Sequence, residues 1–176
     1  MMAKRRVNKQ VFYKPYRIPA FLILLLLAAI TATLTQADDG KPQGEPQPTL
    51  PTVVLNIGNH QLTTELAISP VERQRGLSFR QTLGDDNAML FVYNNERRRL
   101  FTMRETSIPL SIAFINSDLE ITQILDMLPY AIQNYPSRHP ARYALEVNKD
   151  WFDKHGIKAG AKIAIDPSSE STFKFQ

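Results

Sequence analysis

Two glutamates and three arginines are the residues of this 176-residue chain best placed to do chemistry. Glu105 and Glu146 sit on separate apolar runs, LFTMRETSIPLSIAFIN and RYALEVN. Two carboxyls facing one cleft can work as general acid and general base, so this pair is the catalytic candidate. A wider set, Arg73, Arg80, Met89, Met103, Arg104, Thr106 and Glu146, would suit ligand binding. Arginine gives forked hydrogen bonds to an anionic or sugar-like group, and methionine gives an adaptable apolar wall. The same residues also fit a structural clasp, in which a buried arginine–carboxylate pair ties a helix to strands. The spacing leaves all three open and favours clasp or binding over catalysis.

Other chemistries are excluded more firmly. The chain has no cysteine, so disulfides, thiol nucleophiles, thiolate metal sites and a lipid-modified cysteine are all absent. Neither a GxxxxGK[ST] loop nor a GxGxxG fingerprint occurs, which argues against nucleotide chemistry. No G-x-S-x-G or S-x-x-K elbow frames a serine nucleophile. His60, His139 and His155 have no metal-ligand spacing, and His155 before Gly156 reads as a helix C-terminal cation. Asp85-Asp86 after Gly84 reads as a solvated turn. Neither a metal nor a cofactor is expected.

Charge locates the protein. The net charge is +4, yet Lys4, Arg5, Arg6, Lys9, Lys14 and Arg17 all fall in an acid-free leader. Without those six cations the chain from Asp38 onward carries −2, which removes the electrostatic motive for binding nucleic acid. The basic stretch runs into IPAFLILLLLAAITATL and then TQA, the layout of a signal peptide cleaved after Ala37. The apolar run also approaches the length of an uncleaved membrane anchor. Either way residues 1–37 imply an exported, periplasmic or otherwise extracytoplasmic protein.

The elements that must position the glutamates and arginines follow. Residues 38–51, DDGKPQGEPQPTLP, read as a proline-rich linker. Residues 52–168 then alternate short apolar runs: TVVLNIG, LTTELAI, AMLFVY, RLFTM, IPLSIAFIN, EITQILDML, RYALEV and AKIAID. They predict a mainly β single domain, with residues 169–176 as a tail. Turn residues predict hairpins at Gly58-Asn59, at Asn94-Asn95-Glu96 and at Asn116-Ser117-Asp118. Ser69-Pro70-Val71-Glu72 is a capping box, which starts a short helix ending before Gly76. A second short helix is predicted from Asn148 through KDWFDKH to Gly156. On the RYALEVN strand, period two puts Tyr143, Leu145 and Val147 on one face and Ala144, Glu146 and Asn148 on the other.

SPVERQRGLSFR, NAMLFVY, LFTMRETSIPLSIAFIN and YALEVNKDWFDKHGIKAGAKI, in that order, resemble the bacterial and archaeal family called domain of unknown function 192, or uncharacterised protein family 0127. The resemblance covers roughly Val53 to Asp166. It implies a compact β-sandwich or barrel-like fold with small helices, frequent signal peptides and no known activity. Its characteristic positions fall here on Arg73, Gly76, Leu77, Arg80, Met89, Leu90, Phe91, Met103, Thr106, Pro109, Leu110 and Glu146. The chain departs from the family pattern in two places. Thr102-Met103-Arg104-Glu105-Thr106 stands where the family reads tryptophan, methionine, lysine, asparagine and threonine. Ser111 replaces the aspartate after proline-leucine, a loss that the new acid at Glu105 could offset.

The sequence therefore points to an exported, non-catalytic cell-envelope binding or accessory module, its partner an unknown small molecule or envelope component. The alternative is an envelope hydrolase acting on a glycan-like substrate through Glu105 and Glu146. Membrane contact is expected only through an uncleaved leader or through Arg97-Arg98-Arg99. Three charges at a turn otherwise read as a solvated edge.

Overall fold

The computed structural model describes residues 43–169. The predicted leader, the first part of the proline-rich stretch and the end of the tail lie outside them. Among the described residues nine strands form: β1 Thr52–Ile57, β2 His60–Ala67, β3 Asn87–Arg97, β4 Leu100–Thr102, β5 Leu110–Ile115, β6 Ile121–Met127, β7 Asn134–Pro136, β8 Ala141–Asn148 and β9 Ile163–Ile165. Two short helices, α1 Pro70–Arg75 and α2 Trp151–Lys154, interrupt them. The fold is mainly β, as expected.

Seven strands make one sheet in the order β6-β5-β8-β3-β2-β1-β9, and β4 pairs with β7 in a small second sheet. The large sheet curls into a half-barrel. At one end its two edges meet, where Glu120 bridges Lys162 and the Ile121 N–H donates to the Ala161 carbonyl at 2.8 Å. The β2–β3 pairing is parallel because α1 and its loop carry the chain over, whereas the remaining neighbours are antiparallel.

Period two divides the apolar residues into two cores, one on each face of the sheet. Leu62, Leu66, Ala88, Leu90, Ala113, Ile115, Leu145 and Val147 fill one with Trp151 and Phe152 of α2. Met89, Phe91, Ile112, Phe114 and Ala144 form the other, covered by Leu77, Phe101, Met103 and Ile108. Phe101 of β4 presses edge-on against Phe91 and Phe114, with ring centroids 4.9 and 5.7 Å away. That second face carries Glu146.

Local signals act where expected at Gly58-Asn59, at Asn116-Ser117-Asp118 and around α1, whose capping box is fully formed. The hairpin predicted at Asn94-Asn95-Glu96 does not form. Those residues continue β3, which shifts register against β8 after Val92, and the following strand β4 pairs with β7 instead. Their polarity reflects the exposed end of a long strand.

The second helix is also shorter than predicted. Asn148 still pairs with Leu110 in the β5–β8 ladder, and Asp150 turns left-handed (φ 66°) before α2 begins. The proline-rich stretch is not bare linker over its described part. Gln47 is buried and donates to the carbonyls of Glu72 and Gly76 at 3.2 and 2.8 Å, so it closes the C-terminal end of α1.

Candidate functional site

One row of the sheet sets out the site. Glu65 on β2 pairs with Met89 on β3, Met89 with Glu146 on β8, and Glu146 with Ile112 on β5. The two acids thus flank Met89 on the same face, and their environments differ. Arg80 makes a forked pair with Glu65, Nη1 reaching Oε1 at 2.5 Å and Nη2 reaching Oε2 at 2.8 Å. The Leu50 N–H donates to Oε2 as well. Burial pushes the Glu65 carboxyl up, yet the hydrogen bonds from Arg80 and Leu50 outweigh it and hold the group below its ordinary value.

Glu146 is only 4 % exposed, and its carboxyl has no hydrogen bond or ion pair among the described residues. Burial alone pushes it up to about 8. At neutral pH it is therefore a carboxylic acid, able to donate one hydrogen bond and accept others. A buried carboxyl with nothing to neutralise it is the feature this fold sets apart.

Glu146 lines a solvent-open cleft of about 420 Å³. Phe91 and Phe101 supply apolar wall, Arg73, Gln74 and Gly76 contribute from α1 and its end, Thr102 ends β4, and Arg104, Glu105 and Thr106 come from the turn after it. That turn is a β-turn closed by the Thr106 N–H on the Met103 carbonyl at 3.0 Å, with Arg104 and Glu105 at its exposed centre. The Phe79 N–H on the Glu105 carbonyl and the Ser107 hydroxyl on the Arg80 carbonyl fix it to the segment after α1. Gly76 lets α1 end against the cleft: its φ is 49°, and a Cβ there would lie 3.2 Å from the Phe91 ring.

Of the residues singled out in the sequence, Arg73, Arg104, Glu105, Thr106 and Glu146 come together in the cleft. Arg80, Met89 and Met103 do not line it. Arg80 is committed to Glu65, and the two methionines are packed in the core. Glu105 is exposed at the rim.

Ser111 lies on the opposite face of the sheet from Glu146, because β5 presents Leu110, Ile112 and Phe114 to the Glu146 side. Its hydroxyl donates to Asp126 Oδ1 at 2.6 Å and accepts from the Asp150 N–H at 3.0 Å. The expected exchange of charge between residues 105 and 111 therefore fails on geometry. The acid that serves residue 111 is Asp126 on β6.

Tyr93 was missed by the sequence reading. It follows Phe91 on β3 and reaches the same cleft, and period two was the signal that could have found it. The guanidinium carbon of Arg99 lies 3.7 Å from its ring centroid and that of Arg73 lies 4.7 Å away. Burial raises its phenol, the charges of Arg99 and Arg73 oppose that, and Glu146 pushes it further up. Arg97 and Arg98 are exposed as a solvated edge would be, but Arg99 folds back onto the protein.

Residues 53–165 match the family model DUF192, described as uncharacterized ACR, COG1430. The chain belongs to this family. Two solved structures share the DUF192 fold seen here. A protein of unknown function from Novosphingobium aromaticivorans DSM 12444 is 34 % identical, with TM-score 0.64, over 75 % of this chain and 98 % of that one. A protein from Sinorhizobium meliloti 1021, provisionally described as a transcription regulator, is 29 % identical with TM-score 0.65, over 68 % of this chain and 97 % of its own. No curated protein matches. The Glu146 cleft thus lies wholly within the DUF192 region, and so does the Glu65–Arg80 pair.

Proposed function

We propose that this DUF192 protein is an exported, non-catalytic binding module of the cell envelope, and that the Glu146 cleft holds a small polar molecule. The observation that carries this is the Glu146 carboxyl, which has no protein partner among the described residues and, in an otherwise buried residue, meets the cleft. A group left without protein partners is costly unless something else meets it. A neutral carboxyl, aromatic walls and arginines at the rim provide a few fixed polar groups on an apolar surface, as ligand sites do. The leader sequence supports export. The net charge of −2 from Asp38 onward favours such a ligand over nucleic acid, whatever the description of the Sinorhizobium relative.

A second reading, a hydrolase acting on a glycan-like polymer, has one observation in its favour. Glu146 keeps its proton at neutral pH and shares the cleft with Glu105, so an acid and a second carboxylate are both at hand. Glu105 is exposed and its side chain has no hydrogen-bond partner among the described residues, so nothing orients it as a base.

The test is a thermal-shift screen of the full-length protein against neutral and acidic saccharides and cell-wall peptides. A true ligand at about 100 times its Kd adds roughly 2.7 kcal/mol of stability. A hit that shifts wild type, is weakened by Glu146→Ala and is recovered unchanged after incubation supports the binding module. Turnover of the hit that Glu146→Gln abolishes would replace it with the hydrolase. Sequencing the mature N-terminus of the exported protein tests the leader.

A further inference from the structure

Resting on the cleft reading, we propose that Arg73, Tyr93 and Arg99 form an oxyanion subsite beside the Glu146 cleft. The ligand is then a polar molecule bearing a carboxylate or phosphate group, such as a uronic acid or a sugar phosphate.

Two guanidiniums share one aromatic ring, Arg99 at 3.7 Å and Arg73 at 4.7 Å from the Tyr93 centroid. Holding two like charges against one small ring is unfavourable without a counter-ion. Among the described residues neither has a carboxylate within ion-pair distance. Glu72, the acid on α1, turns its Oε2 to the Ile68 and Ser69 N–H groups, so it attracts Arg73 through space without forming an ion pair with it. Glu146 supplies no charge, because burial keeps it protonated. Burial, with repulsion from Arg97 and Arg73, holds Arg99 below its ordinary value against an opposing pull from Tyr93.

Both side chains are aimed by backbone carbonyls. Arg73 Nη1 donates to the carbonyls of Ile68 and Val92, the latter at 3.0 Å. Arg99 Nε donates to the Ala141 carbonyl at 2.9 Å, and Nη2 to the carbonyl and side-chain oxygen of Asn95. Arg73 Nε and Nη2 and Arg99 Nη1 remain without a protein acceptor among the described residues. The nitrogens left free on these two ordered cations around one ring are donors of the kind that carboxylate and phosphate oxygens accept from. Tyr93 joins them to the cleft, where Glu146 and the rim meet the ligand's hydroxyls.

The experiment follows the arginine Nε–Hε NMR signals of the full-length protein in nonionic detergent during titration with inorganic phosphate, D-glucuronate and D-glucose. Saturable shifts at Arg73 and Arg99 with phosphate and glucuronate, absent with glucose, are expected. The tighter-binding anion identifies the source of the charge. Arg99→Gln should weaken binding about tenfold, the loss of a charge-assisted contact, while Arg98→Gln leaves it unchanged. Shifts that never saturate, that are as large at Arg97 and Arg98, or that glucose reproduces would overturn the subsite. A cleft ligand whose affinity survives both Arg73→Gln and Arg99→Gln sinks the subsite and spares the binding module. The wild-type titration decides even if a variant fails to fold.

Discussion

Glu65 and Glu146 stand in the same row of the sheet, one residue of β3 apart, and only Glu65 has a cation. The fold therefore places two buried carboxyls side by side and gives them opposite protonation. Glu65 is held ionised by Arg80 and by the Leu50 N–H, whereas Glu146 is held neutral by the apolar residues around it. One is scaffold, and the other is free for a ligand.

The first prediction concerns pH. Glu146 is raised to about 8 in the folded chain from an ordinary 4.5, so between those values the unfolded chain has lost a proton that the folded chain keeps. Its contribution is fully present below pH 4.5 and is lost as pH rises toward 8, with a slope of about 1.4 kcal/mol per pH unit. Glu146→Gln removes that slope. At pH 7 the variant should be more stable than wild type by up to about 3 kcal/mol. Urea denaturation at pH 5, 7 and 9 measures it; a wild type equally stable at all three, once other groups are matched by the variant, would show Glu146 to be paired or solvated.

The Glu65–Arg80 pair makes the opposite prediction. Both side chains are largely buried, 11 % and 15 % exposed, so removing one partner leaves a charge with no water to receive it. Arg80→Met should cost about 3 kcal/mol, and Glu65→Gln/Arg80→Met together should cost clearly less than the two singles combined. Chemical denaturation of the full double-mutant cycle checks this. Glu65 has a lowered value, so its contribution is present above its ordinary value and is lost as pH falls through the folded one. Arg80→Met should flatten that acid limb.

How much of this could be read in advance depends on the range of each signal. The α1 capping box and the turns at Gly58-Asn59 and Asn116-Ser117-Asp118 act over a few residues, and all formed. Eight of the nine strands carried enough apolar alternation to be seen; β7, Asn-Tyr-Pro, was too short and contains a proline. Asn94-Asn95-Glu96 misled because a polar strand end and a turn have the same composition, and only the pairing of β4 with β7 separates them. Glu146 was placed on the correct face by period two. That Arg80 would choose Glu65 over Glu146 could not be seen, since it depends on which strands are neighbours. Arg99 resembled its exposed neighbours until Tyr93 and the Ala141 carbonyl gave it a place.

Gly76 is predicted to be irreplaceable for the cleft. Its left-handed φ and the 3.2 Å approach of Phe91 to any added Cβ oppose substitution independently. Gly76→Ala should destabilise the fold by about 1–3 kcal/mol. It should also push the Phe91 ring into the cleft, so ligand affinity falls beyond what lost stability explains. Thermal unfolding and a binding titration on the same sample separate the two effects.

Ser111 provides the last prediction, because its place on the far face separates stability from the cleft. The hydroxyl bridges Asp126 and the backbone N–H of Asp150, which joins β5 to β6 and to the start of α2. Ser111→Ala leaves that N–H without its acceptor and should cost about 1–2 kcal/mol. Ser111→Asp, the residue expected from the family pattern, puts a second carboxylate against Asp126 at a position only 1 % exposed. It should destabilise more than Ser111→Ala at pH 7, Lys149 at 3.4 Å from Asp126 offsetting only part of the repulsion, and the excess should be smaller at pH 5. Adding Asp126→Ser to Ser111→Asp returns one carboxylate and one hydroxyl to the site with their strands exchanged, and should restore most of the loss. Ligand affinity at the Glu146 cleft should stay constant through the whole series while the protein is folded. Denaturation curves at pH 5 and 7 give the first comparison and a binding titration the second. An affinity that follows residue 111 would mean that the two faces of the sheet are coupled through β5.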